Sequence, residues 1–163
     1  MKALQAIDVA FRKIKQQYDQ RYSDSGLVCK QGFYTNCSVL KLQKLSWTND
    51  PMNQAQNSSG IFFSIWISEE FAAKSRAQYN IHALKLRKLK GHSITSKDFA
   101  EKFRKNFVKK SWPNVNVDYG PLTLMEGWIE VDLNNLEESI LPMLEQFHQV
   151  SPTIDRLLKE RTK

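Results

Sequence analysis

The chain has 163 residues, 24 Lys and Arg against 17 Asp and Glu, and an apolar fraction of 41% that includes nine Phe, five Tyr and four Trp. That is enough apolar material for one cored domain over 1–163, and it excludes a disordered composition. No apolar run approaches the roughly 20 residues of a membrane helix, and the amphipathic start is not a signal peptide's apolar segment. Cys29 and Cys37 are too few for a disulfide scaffold and lack a Cys/His pair at zinc spacing. They read as reduced thiols of a cytoplasmic protein.

The charge is segregated. Between Lys85 and Lys110 ten basic residues face only Asp98 and Glu101, so this segment carries +8 while the whole chain carries +7. From Ser111 to Asp155 there are eight acids and no Lys or Arg. Such a block points to an anionic partner or to a solvated face.

In chain order, Leu4, Ile7, Phe11, Ile14, Tyr18 and Tyr22 make one stripe and predict a helix over 3–22. A strand is predicted over Ser38–Trp47. Leu40 and Leu42 are in one phase and Leu45 and Trp47 in the other, as a bulge near Gln43 would give. Asn49–Gly60 is polar, with Pro51 inside, and reads as a mobile loop. Ile61–Ser68 alternates strictly and predicts a central strand, with Phe62 and Trp66 on its second face.

From Glu69 to Lys90 one long helix is possible. The alternation of His82, Leu84 and Leu86 favours a short helix over Glu69–Arg76 and then a strand over Tyr79–Lys88. Thr95 or Ser96 caps a helix over Lys97–Lys110, whose stripe is Phe99, Ala100, Phe103 and Phe107, with Lys102, Lys105 and Lys109 opposite. Val115–Tyr119 and Leu122–Leu133 suggest a hairpin. Helices follow through His148 and from Ser151-Pro152 to about Glu160, with Pro142 in a first turn or at a break. The fold class is α+β: an antiparallel meander sheet packed by helices, chiefly on one face, in the order α-β-β-β-α-β-β-α-α. Phe11, Ile14, Phe63, Ile65, Phe99, Phe103, Ile129 and Val131 are expected in one core.

Familiar chemistries are missing. No Asp or Glu is followed two positions later by Lys, which removes the acid–lysine pair of PD-(D/E)XK nucleases. Six dispersed glycines give no phosphate loop, and there is no nucleophile elbow or HExxH. His82, His92 and His148 lie far apart, without ligand spacing. No cofactor or metal is implied. Glu130 and Asp132 alternate onto one predicted strand face, where two carboxylates could do acid–base work. Trp66 and Trp128 read as core, and Trp112 as partly exposed.

From Ile81 onward, Ala83-Leu84-Lys85-Leu86, Phe99-Ala100-Glu101-Lys102-Phe103-Arg104 and Gly127-Trp128-Ile129-Glu130-Val131-Asp132-Leu133 resemble the pattern of the MmcQ/YjbR-type small proteins. The resemblance covers 81–150. The Asn49–Gly60 loop and an extended Asn114–Tyr119 depart from it. It implies a double-wing α+β fold and DNA binding, with no catalytic residues.

Three functions stay open. A nucleic-acid-binding domain would place Lys85, Arg87, Lys97, Lys102, Lys105 and Lys109 on phosphates. A self-associating module would form a homodimer by setting the basic half of one copy against the acidic half of another. An enzyme would use Glu130 and Asp132.

Overall fold

A computed structural model describes residues 2–49, 59–107 and 109–161. The elements are α1 (Lys2–Arg21), β1 (Leu27–Tyr34), β2 (Cys37–Lys44), β3 (Gly60–Ser68), α2 (Glu69–Ala73), β4 (Arg76–Leu84), α3 (Ser96–Lys105), β5 (Thr123–Glu130) and α4 (Glu137–Lys159). The strands form one antiparallel sheet in the order β1-β2-β3-β4-β5, an unbroken meander. No helix among the described residues is long and apolar enough to cross a membrane.

Alternation decides which face is covered. Leu40 and Leu42, Ile61 to Ile67 in steps of two, Ala77, Tyr79 and Ile81, and Met125 and Ile129 all point to one side and are buried. On that side α1 packs across β1 and β2, and α3 packs against β4 and β5. Phe147 of α4 stacks on Phe63 of β3, with ring centroids 4.6 Å apart. All eight residues expected in the core are buried. Gly127 faces Tyr79 so closely that a Cβ there would lie 2.5 Å from the Tyr79 hydroxyl. Among the described residues, no helix covers the opposite face.

Several elements differ from the sequence reading. β1 is not predicted by the pattern; it is an edge strand whose apolar residues split between both faces, with Val28, Phe33 and Tyr34 exposed. β2 stops at Lys44. A 3-10 turn over Leu45–Trp47, rather than a bulge, produces the phase change, turning Leu45 outward and Trp47 into the core. Trp47 Nε1 donates to Asp155 of α4 at 2.8 Å, which fixes that turn. The loop expected over Asn49–Gly60 lies, for 50–58, outside the described residues, and Gly60 opens β3.

Ser68 caps α2 by accepting from the Phe71 N–H. β4 begins and ends three to four residues earlier than predicted, because Lys85 takes a left-handed conformation (φ 49°) and starts a 3-10 turn over Leu86–Lys88. The residues 115–119 form no strand. Their backbone meets β5 at an isolated bridge between Asn116 and Glu126, the Tyr119 hydroxyl donates to the Glu126 carboxylate at 3.1 Å, and β5 pairs with β4 instead. α4 is one continuous helix with Pro142 and Pro152 inside it. Each proline costs about 3 kcal/mol in a helix. Both rings are exposed, and the long buried row from Ile140 to Leu158 holds the helix to the sheet across both positions.

Candidate nucleic-acid interface

The basic segment folds into a turn and a helix anchored from below. Leu86 and Leu89 are buried, which turns Lys85, Arg87, Lys88 and Lys90 outward. Ser59 Oγ donates to the Lys85 carbonyl, and the Asn49 amide bonds Lys88 O and Lys90 N, so the turn is held at both ends. Ser96 Oγ donates to the Ala83 carbonyl at 3.0 Å and joins this turn to the start of α3.

Thr95 is the cap of α3: its hydroxyl accepts from the Asp98 N–H at 3.1 Å. Phe99, Ala100 and Phe103 are buried, leaving Lys97 and Lys105 exposed and Lys102 half-buried. The helix ends at Lys105. Lys109 therefore lies beyond it, in a 3-10 turn over Lys109–Ser111, and shares no helical face with Lys102 and Lys105.

Of the six residues predicted to meet phosphate, Lys85 and Arg87 stand in the turn that Ser96 ties to the start of α3, and Lys97 is the next residue of that helix. Lys102 and Lys105 continue along α3 over about 12 Å, and Lys109 stands apart past the helix. Lys85 and Arg87 share a turn, not a strand face. Among the described residues, the carboxylate at ion-pair distance from this set is Asp98, 3.9 Å from Lys102, and Asp98 lies closer to Arg161 outside the set, at 3.0 Å. Beside it is a shallow recess of about 350 Å³ lined by Arg87, His92, Asp98 and Arg161 among others.

Arg104 belongs to the same block of charge but is consumed internally. Its guanidinium donates to the carbonyls of Tyr119, Gly120, Thr123 and Leu124 at 2.8–3.2 Å, clamping the entry to β5 onto α3. Bonds from a charged group are worth about 1.5–3 kcal/mol. Arg104→Ala is expected to lower unfolding stability by about that much in a denaturant titration, where Lys105→Ala changes it by less than about 0.5 kcal/mol.

The open sheet face holds a second constellation that sequence reasoning missed. In register across the five strands run Lys30, Lys41, Ser64, Asn80 and Glu126. The neighbouring row runs Gly32, Val39, Trp66, Gln78 and Trp128. Trp66 and Trp128 are half-buried here rather than core, whereas Trp112 is buried on the helix side against Phe147. Both assignments made from sequence are thus reversed, because hydropathy alone does not say which face of a strand the helices cover.

Asn80 is only 4% exposed. Its Nδ2 donates to His82 Nε2 at 2.9 Å and toward Glu126 at 3.4 Å, while its Oδ1 has no partner among the described residues. His82 Nδ1 lies 3.2 Å from the Leu122 carbonyl, so the tautomer with the proton on Nδ1 satisfies both ring nitrogens. Burial, then the charge of Lys30, lowers the Lys41 amine below its usual range. Its Nζ sits 4.3 Å above the Phe62 ring.

Burial likewise holds His82 and His148 below the ordinary histidine value of 6.5. The unfolded chain therefore takes up these protons first, and stability drains as pH falls from 6.5 toward the lower folded values. The melting temperature is expected to drop between pH 7.5 and 5.5, and less so in the double variant His82→Asn, His148→Asn. A rise on acidification over that window contradicts the burial of both rings.

Glu130 and Asp132 do not pair as predicted. β5 ends at Glu130, and Asp132 lies in the turn beyond, accepting from the Asn134 N–H at 2.9 Å. Among the described residues no three His, Cys, Asp or Glu side chains converge. Comparison with protein-family models, with curated proteins and with solved structures found no match.

Proposed function

We propose that the protein binds nucleic acid through the turn over Lys85–Lys90 and helix α3. The observation that carries this reading is the outward display of Lys85, Arg87, Lys88, Lys90, Lys97 and Lys105 over buried Leu86, Leu89, Phe99 and Phe103, with Asp98 as the nearby paired acid. Exposed cations that meet no described carboxylate keep their charge for phosphate, whose contacts supply most non-specific affinity. The recess between Arg87 and Arg161 offers one phosphate a concave seat. The resemblance over 81–150 points the same way.

Footprinting by lysine acetylation tests the location. A bound oligonucleotide should slow acetylation of Lys85, Lys97 and Lys105 several-fold and leave Lys13 of α1 and Lys159 of α4, which are also exposed, unchanged. Uniform rates with and without oligonucleotide would reject the assignment.

A further inference from the structure

We infer that the helix-free face of the sheet is a track for single-stranded nucleic acid, with unpaired bases stacking along the row Tyr34–Trp66–Trp128. The track lies on the sheet face opposite α3 and goes beyond the interface proposed above, resting on that reading for the nature of the partner. The three rings stand on β1, β3 and β5, every second strand of the meander. Strands about 4.8 Å apart place them at intervals of about 10 Å across the whole sheet. Gly32 makes the first step possible: a Cβ there would collide with the Tyr34 ring, which lies over the bare backbone. Trp66, at the centre, has Ser64 and Ser68 as its small same-face neighbours along β3.

The cations are placed for the backbone. Lys30 and Lys41 occupy the adjacent row on β1 and β2, and none of the described residues of β1, β2 and β3 on this face is Asp or Glu. Arg76 stacks its guanidinium on Trp128 at 3.8 Å, extending the stacking surface with a charge. Aromatic rings beside lysines suit every base, because each base has a π face.

A second copy of the chain fits this face poorly. Sheet-on-sheet packing would strip water from Lys41 and Glu126 along the middle of the contact, at the full cost of desolvating charge. Duplex, whose bases are already stacked and paired, gains nothing from the rings and would use only the basic turn and α3.

Tryptophan emission reads the track directly. Trp47 and Trp112 are buried on the helix side, so quenching by a ligand reports Trp66 and Trp128. Oligothymidylate of about 16 nucleotides should quench emission and bind at least about fivefold more tightly than duplex of equal length at the same salt. Trp66→Leu should weaken single-strand binding by about five- to a hundredfold and leave duplex binding unchanged. Tyr34→Ser, at an exposed edge position that the fold does not need, should do the same and guards against a Trp66 variant that fails to fold.

Single-strand binding without quenching, and unaltered in both variants, overturns the track while leaving the basic interface standing. Failure of duplex and single strand alike overturns both. A mononucleotide that competes as well as the oligomer overturns the track in favour of a closed nucleotide site. Emission that changes on dilution of the protein alone overturns it in favour of a sheet-to-sheet dimer.

Discussion

Phe147→Ala is expected to cost about 3–5 kcal/mol of unfolding stability, the range for deleting a fully buried phenylalanine ring. Phe147 is the hub of the core. It stacks on Phe63 at 4.6 Å and 8°, meets Trp112 at 5.4 Å, and stands edge-on to Tyr79 at 6.5 Å. It thereby joins α4 to β3, β4 and the segment after α3. The cavity cannot close easily, because α4 is already fixed at its far end by Asp155, which accepts from Trp47 and pairs with Lys44. In a domain of this size such a loss lowers the melting temperature by about 6–20 °C. Phe147→Leu keeps most of the volume and should cost less than about 2 kcal/mol. A loss below about 1 kcal/mol for the alanine variant would mean that α4 does not seat on the sheet as described.

Replacing Lys97, Lys105 and Lys109 together by Gln is expected to weaken nucleic-acid binding across all sequences and to flatten its salt dependence. Each cation that neutralises a phosphate releases about 0.7–0.9 of a counterion, so the slope of log affinity against log salt should fall by about 1.5 through Lys97 and Lys105, and by about 2–3 where Lys109 also meets a phosphate. All three side chains are exposed, and stability should therefore move by less than about 0.5 kcal/mol per site. The position of Lys109 beyond α3 makes it the informative member. If bound nucleic acid follows only the turn and the helix, the pair Lys97→Gln, Lys105→Gln accounts for the whole change. If it continues toward the turn at Lys109–Ser111, the third substitution adds its own step.

The helices are legible in the sequence because their buried stripes are local. The spacing of Leu4, Ile7, Phe11 and Ile14 places α1, and Phe99 with Phe103 fixes which side of α3 must show its lysines. The same locality makes the exposure of Lys97 and Lys105 readable from residue order alone. Where local pattern and packing disagree, packing wins. Pro142 and Pro152 mark breaks by propensity, yet α4 runs through both because its buried row is continuous from Ile140 to Leu158.

β1 is hidden because an edge strand need not alternate cleanly, and Gly32 weakens its signal further. The aromatic track is not legible at all. It is created by register, which sets Trp66 and Trp128 in one row with Gly32 and the Tyr34 ring that lies over it. Nothing near any of the three rings announces the other two. The unpaired Asn80 acceptor is likewise a property of tertiary structure.

The most direct test of the central claim is the affinity of the unmodified protein for an oligonucleotide as a function of salt. Phosphate contacts by the displayed Lys85, Arg87, Lys88, Lys90, Lys97 and Lys105 predict binding at low salt with a log–log slope of about −4 to −5. Tight binding with a slope near zero, or no binding even at the lowest salt, would contradict the account and leave the basic turn and α3 as a solvated face.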